Sequence, residues 1–97
     1  MYLNRANRVL FIYGLSSGGL TGTVANSALI YAIALKTASV NIIIAHNHPS
    51  GNLAPSRTDE ELAQKIKEEG KYFDIKLLDH IIVTTEGFFF FADEGLL

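Results

Sequence analysis

The chain has 97 residues, 48% hydrophobic and 19% charged, with eight Lys and Arg against ten Asp and Glu and a net charge of −2. Such a length supports one core with a radius of gyration of roughly 13 Å, which excludes solenoids and multidomain machines, and the composition sets the chain apart from disordered ones. The charge balance offers no basic stripe for non-specific duplex binding, and zero Cys leaves His and carboxylate as the strong metal ligands.

Residues 1–45 contain Arg5, Arg8 and Lys36 and no acid, so any carboxylate chemistry must come from the second half. The opening MYLNRANRVLFIYG lacks a signal-type apolar segment. The longest apolar run, Ala28 to Leu35, falls far short of the ~20 residues needed to span a bilayer. This reads as a soluble, cytoplasmic protein without a membrane partner.

In chain order, Arg8 to Tyr13 (RVLFIY) is β-branched and aromatic, and the glycines and serines from Gly14 to Gly19 follow as a turn into a return strand at Thr21 to Val24. GLSSGGLTG matches neither phosphate-loop pattern. Asn26 or Ser27 can cap a helix to about Thr37, whose nearly continuous apolar surface predicts cover on all sides. Val40 to Ala45 is a buried central strand delivering the chain into His46.

Ser56 opens an amphipathic helix with Leu62, Ala63, Ile66 and Phe73 inward and Gly70 as its stop. Ile75 to Thr84 and Phe88 to Phe91 are two further strands joined around Glu86 and Gly87. Four consecutive Phe predict a strand covered on both faces or used as an interface.

His46 and His48, at i and i+2 where an apolar strand ends, project to the same side if the extended backbone persists. Pro49, Ser50 and Gly51 then turn the chain back, and Asp59 in the first turn of the following helix can return its carboxylate to the pair. The spacing is H-x-H-x7-S-x2-D. Two His and one carboxylate with a fourth position open to water form the ligand set of a catalytic zinc, and Ser56 can steady a developing oxyanion. Ser56-x-x-Asp59 is also a capping-box pattern, and the two roles are compatible because a cap fixes both side chains.

Asp79 and His80, adjacent in LLDHIIV, face opposite ways in a strand and cannot both serve one site. They read first as structural residues and second as support behind the metal ligands.

Through YLNRANRVL, the glycine-bearing hairpin, IIIAHNHPSG, the P-S-x-x-D at Pro55 to Asp59 and LLDHIIV, the chain resembles the RadC-like JAB domain of the JAMM (MPN) metalloprotease superfamily along nearly its whole length. The resemblance implies one domain over residues 1–97 with an α/β, cytidine-deaminase-like fold, a mixed sheet flanked by two main helices. It also implies one zinc on His46, His48 and Asp59, with Ser56 in the oxyanion role.

Two departures stand out. The family places a Glu upstream of the hairpin as general base, whereas this chain has no acid before Asp59. The expectation is that the chain starts inside the family's first strand, without that Glu or the helix-hairpin-helix region. At Ala25-Asn26-Ser27 the Arg-Glu pair common in the family is also absent. Glu60 and Glu61 lie at roughly 100° and 200° around the helix from Asp59 and do not replace the base.

The leading expectation is a zinc-dependent hydrolase domain for a peptide or isopeptide bond, weak alone for want of the Glu. The alternative is a metal-bound, non-catalytic interaction or DNA-repair accessory module, with homodimer surfaces on helix 28–35 or strand 88–91. Nucleic acid enters only through the family association. A third reading is a remnant that merely tolerates His46 and His48.

Overall fold

A computed structural model describes residues 1–12, 27–48 and 53–97. Its elements are β1 (Tyr2–Leu3), β2 (Val9–Phe11), α1 (Ser27–Lys36), β3 (Asn41–Asn47), α2 (Arg57–Lys71), β4 (Lys76–Thr84) and β5 (Gly87–Phe90). The expected return strand at Thr21 to Val24, the glycine turn before it, the Asn26 cap and the Pro49–Gly51 turn lie outside the described residues.

The strands form one mixed sheet in the order β2-β1-β3-β4-β5, with β3 and β4 parallel and every other pair antiparallel. A parallel pair needs a long crossover, and α2 supplies it. Among the described residues this α/β arrangement of five strands and two helices is consistent with a JAB/MPN domain. Among the described residues no helix is long and apolar enough to cross a membrane.

The sequence sets α2 firmly. Ser56 caps it, Asp59 and Glu60 occupy its first turn and Lys71 its last, as the helix dipole favours. Ala63, Ile66 and Gly70 form the buried stripe at helical spacing. One core cluster joins Ile30, Tyr31 and Ala34 of α1, Ile66 of α2, and Tyr2, Ile42 and Leu77 of the sheet. A second joins Ala63, Ile82 and Phe91. The Tyr2 hydroxyl donates to the Ile30 carbonyl at 3.1 Å, and the Tyr31 hydroxyl donates to the Ile66 carbonyl, so the buried phenols tie α1 to both β1 and α2.

Helix α1 is not covered on all sides. Ala28, Ala32 and Leu35 are exposed among the described residues, because the helix meets the core through Ile30, Tyr31, Ala34 and the partly buried Ile33. The four Phe are likewise not all covered. Phe89 and Phe91 turn inward while Phe88 and Phe90 point out, 63% and 37% exposed, which is the ordinary two-residue alternation of a strand hidden by uniform composition.

Helix α2 runs one residue past Gly70, with Tyr72 as its C-cap, so Gly70 does not end it. Gly70 is instead where the backbone passes close to Ile75. Strand β1 leaves no periodic trace in two residues, and only the family resemblance pointed to a strand at this end.

Candidate metal centre

Strand β3 extends through His46 and Asn47, two residues further than its apolar run indicates. The extended backbone therefore persists across His46, and both imidazoles project toward the core face, as the i, i+2 spacing predicts. The amide of His48 donates to the Val83 carbonyl at 3.1 Å, holding the end of this segment against β4. The site thus lies where the parallel pair ends and α2 begins, a usual location for ligands in α/β sheets.

Asp59 reaches the pair from the first turn of α2. Its Oδ1 lies 3.0 Å from His46 Nε2, its Oδ2 lies 2.9 Å from His48 Nε2, and the two Nε2 atoms are 3.1 Å apart. The capping box holds the carboxylate still: the Ser56 amide donates to Asp59 Oδ2 at 2.7 Å, and the Asp59 amide donates to Ser56 Oγ at 3.1 Å. Ser56 is exposed, and its hydroxyl keeps its own proton for a further partner.

The donor set fits one small cation. Tetrahedral ligands at ~2.0–2.1 Å from zinc are separated by about 3.3 Å, close to the spacings found here. His46, His48 and Asp59 also form the one group of metal-ligating side chains found among the described residues.

The electrostatics match that use. Burial raises the Asp59 carboxyl, but the Ser56 amide and hydroxyl and the two nearby imidazoles outweigh it, so its pKa falls below the usual value. Burial lowers the His46 pKa, and the attraction of Asp59 only partly offsets it. A neutral imidazole beside an ionised carboxylate is the protonation state a metal requires.

His80 is fully buried behind His46, with its Nε2 2.7 Å from His46 Nδ1. Burial, then the neighbouring His46, pushes its pKa from 6.5 down to about 4. In the metal-free chain this makes stability fall on acidification. The unfolded chain takes up the proton first, so stability held above pH ~6.5 is lost as pH falls toward the folded value, by on the order of 3 kcal/mol. Urea denaturation in chelator should show this loss between pH 7 and pH 4.5, and His80→Phe should lose markedly less.

His80 takes the inner face because of an irregularity in β4. Ile42 pairs with Leu77 but Ile43 pairs with Asp79, so Leu78 is an extra residue. The strand changes phase there, and Leu77, His80 and Ile82 all end on the core face. Simple alternation, which would put Asp79 inside with Leu77, misses this placement. Asp79 instead accepts through Oδ1 from the amides of His80, at 2.8 Å, and Ala92, at 3.0 Å.

The sequence matches the RadC-like JAB domain over residues 1–96. It is 40% identical over 96 residues to a UPF0758 protein of Flavobacterium johnsoniae, covering 99% of this chain and 42% of that protein. It is 39% identical over 98 residues to a UPF0758 protein of Porphyromonas gingivalis, covering 100% and 43%. It is 35% identical over 97 residues to one of Syntrophotalea carbinolica, covering 100% and 43%. The chain therefore spans about two fifths of the length of these curated relatives. Matching that domain over residues 1–96, and these relatives at 35–40% identity along nearly its own whole length, the chain belongs to the RadC-like JAB domain family.

Proposed function

We propose that the chain is the metal-binding core of a cytoplasmic, zinc-dependent hydrolase domain of the JAMM type, acting on a peptide or isopeptide bond. The observation that carries this reading is the convergence of His46 Nε2, His48 Nε2 and the Asp59 carboxylate within 2.9 to 3.1 Å of one another. These three side chains would hold the ion. A zinc so held would supply a Lewis acid and lower the pKa of water.

The chain's own residues divide the remaining work. Asp59 brings the negative charge that balances the cation, held in place by the Ser56 amide. The Ser56 hydroxyl, at the mouth of the same cap, would donate a hydrogen bond to the oxygen on which charge develops. Glu60 and Glu61 are exposed on other faces of α2 and do not act as base. That role falls to the Glu that the family places ahead of the segment matching Tyr2.

General-base assistance contributes ~10²–10⁴-fold. A longer chain carrying an acid ahead of Tyr2 should therefore cleave peptide or isopeptide substrates faster than residues 1–97 by about that factor, and His48→Ala should abolish the turnover. Equal turnover by the His48→Ala variant would overturn the reading.

One observation favours the non-catalytic alternative. Phe88 and Phe90 stand exposed on the outer face of β5, opposite Val83 and Ile81, and Leu35 of α1 is 55% exposed. These surfaces suit a second copy of the chain. Zinc retention without turnover in the longer chain would put that interaction module first, with any part in DNA repair resting on the family association alone.

A further inference from the structure

A buried histidine normally satisfies both ring nitrogens, since an unpaired polar atom in the interior is costly. His80 does not. It is 0% exposed, its Nδ1 has no hydrogen-bond partner among the described residues, and the ring's hydrogen bond to another side chain is the one between Nε2 and His46 Nδ1 at 2.7 Å. An apolar residue would fill this place at lower cost, so packing does not account for the imidazole. The contact with His46 does.

The surrounding structure is built to hold that contact. The extra residue Leu78 turns His80 onto the core face. Phe91 lies on its ring, with centroids 4.6 Å apart and planes inclined by 16°, and the Phe91 amide donates to the His80 carbonyl at 3.1 Å. Asp79 Oδ1 pins the backbone on both sides by accepting from the His80 and Ala92 amides. Backbone and ring are therefore fixed independently of the metal ligands.

We propose that His80 is a positioning residue for the metal centre: its Nε2 accepts the Nδ1 proton of His46, which leaves the Nε2 lone pair of His46 directed at Asp59 and His48. A neutral imidazole carries one N–H, so fixing the proton on Nδ1 determines which nitrogen of His46 is free to bind. Acceptors behind ligating histidines are usually carboxylates, carbonyls or water. Here another imidazole takes that place.

The inference rests on the metal-site reading, and zinc titration against a competing chelator tests it. His80→Phe keeps a ring against Phe91 but has no acceptor. It should bind zinc about 10- to 100-fold more weakly than wild type, with the melting temperature of the metal-free chain unchanged or raised. His80→Gln can place an amide oxygen where Nε2 stood and should bind within about threefold of wild type, since the acceptor is kept. Long-range nitrogen–proton correlation on the zinc-loaded wild type should show the His46 proton on Nδ1.

Wild-type affinity in His80→Phe, equal loss in both variants, or a His46 proton absent from Nδ1 would each overturn the role of His80. A wild-type chain that takes up no zinc would overturn the hydrolase reading together with this one. Zinc uptake by wild type with equal uptake by His80→Phe would overturn this one alone.

Discussion

Replacing Phe91 by Ala should cost about 3–5 kcal/mol of stability, the range for removing a fully buried aromatic side chain. The ring is 0% exposed, stacks on His80, meets Phe89 edge-on at 5.7 Å and closes the cluster with Ala63 and Ile82. Against a total of ~5–15 kcal/mol for a typical domain, that loss leaves the fold marginal. Phe88→Ala is the matched control, three residues earlier with its ring 63% exposed, and should stay within about 0.5 kcal/mol of wild type. Urea denaturation in chelator measures both. Equal costs at Phe88 and Phe91 would contradict the outward placing of Phe88 in β5 and the inward placing of Phe91 just after it. Because Phe91 also holds His80, its variant should bind zinc more weakly under conditions where it remains folded.

Gly70→Ala should destabilise by about 3 kcal/mol, although Gly to Ala in an open helix normally stabilises by about 1 kcal/mol. A Cβ added there would lie 2.2 Å from the Ile75 carbonyl oxygen and 2.8 Å from the Tyr31 hydroxyl. Neither neighbour can yield easily. Ile75 returns its amide to the Gly70 carbonyl at 2.9 Å, and Lys76 immediately enters the sheet by donating to Val40 at 2.9 Å. The Tyr31 hydroxyl is committed to the Ile66 carbonyl. Thermal denaturation distinguishes the alternatives: a raised melting temperature would mean that the α2–β4 junction is open, and a fall of several degrees that it is closed.

Gly70 also shows where reading a sequence locally reaches its limit. Glycine near the end of a helical pattern marks a stop, but α2 continues through Lys71 and the sharp turn falls at Asp74, with φ 56°. Close approach of Ile75, a contact of tertiary structure, determines the residue at position 70. The clustering of His46, His48 and Asp59 was legible because its geometry is local. Two residues along a strand fix the direction of His46 and His48, and a capping box fixes Asp59 on the first turn of α2.

His80 was only partly legible. Asp79 and His80 were expected on opposite faces, and they are, but which one points inward depends on the extra residue at Leu78, which no alternation pattern reveals. For a related reason the sequence left open whether α1 and the four Phe are covered or present an outer face. Ala28, Ala32 and Leu35 carry no polar atoms to mark an outer surface, and four identical Phe conceal their alternation.

The most direct test of the central claim is elemental analysis of the purified, tag-free chain beside a His46→Ala/His48→Ala variant. The expected result is about one zinc per wild-type chain and none in the variant, with zinc at 100-fold its Kd adding about 2.7 kcal/mol to wild-type stability alone. No zinc in the wild type after reconstitution, or equal zinc in both chains, would contradict a centre built from His46, His48 and Asp59.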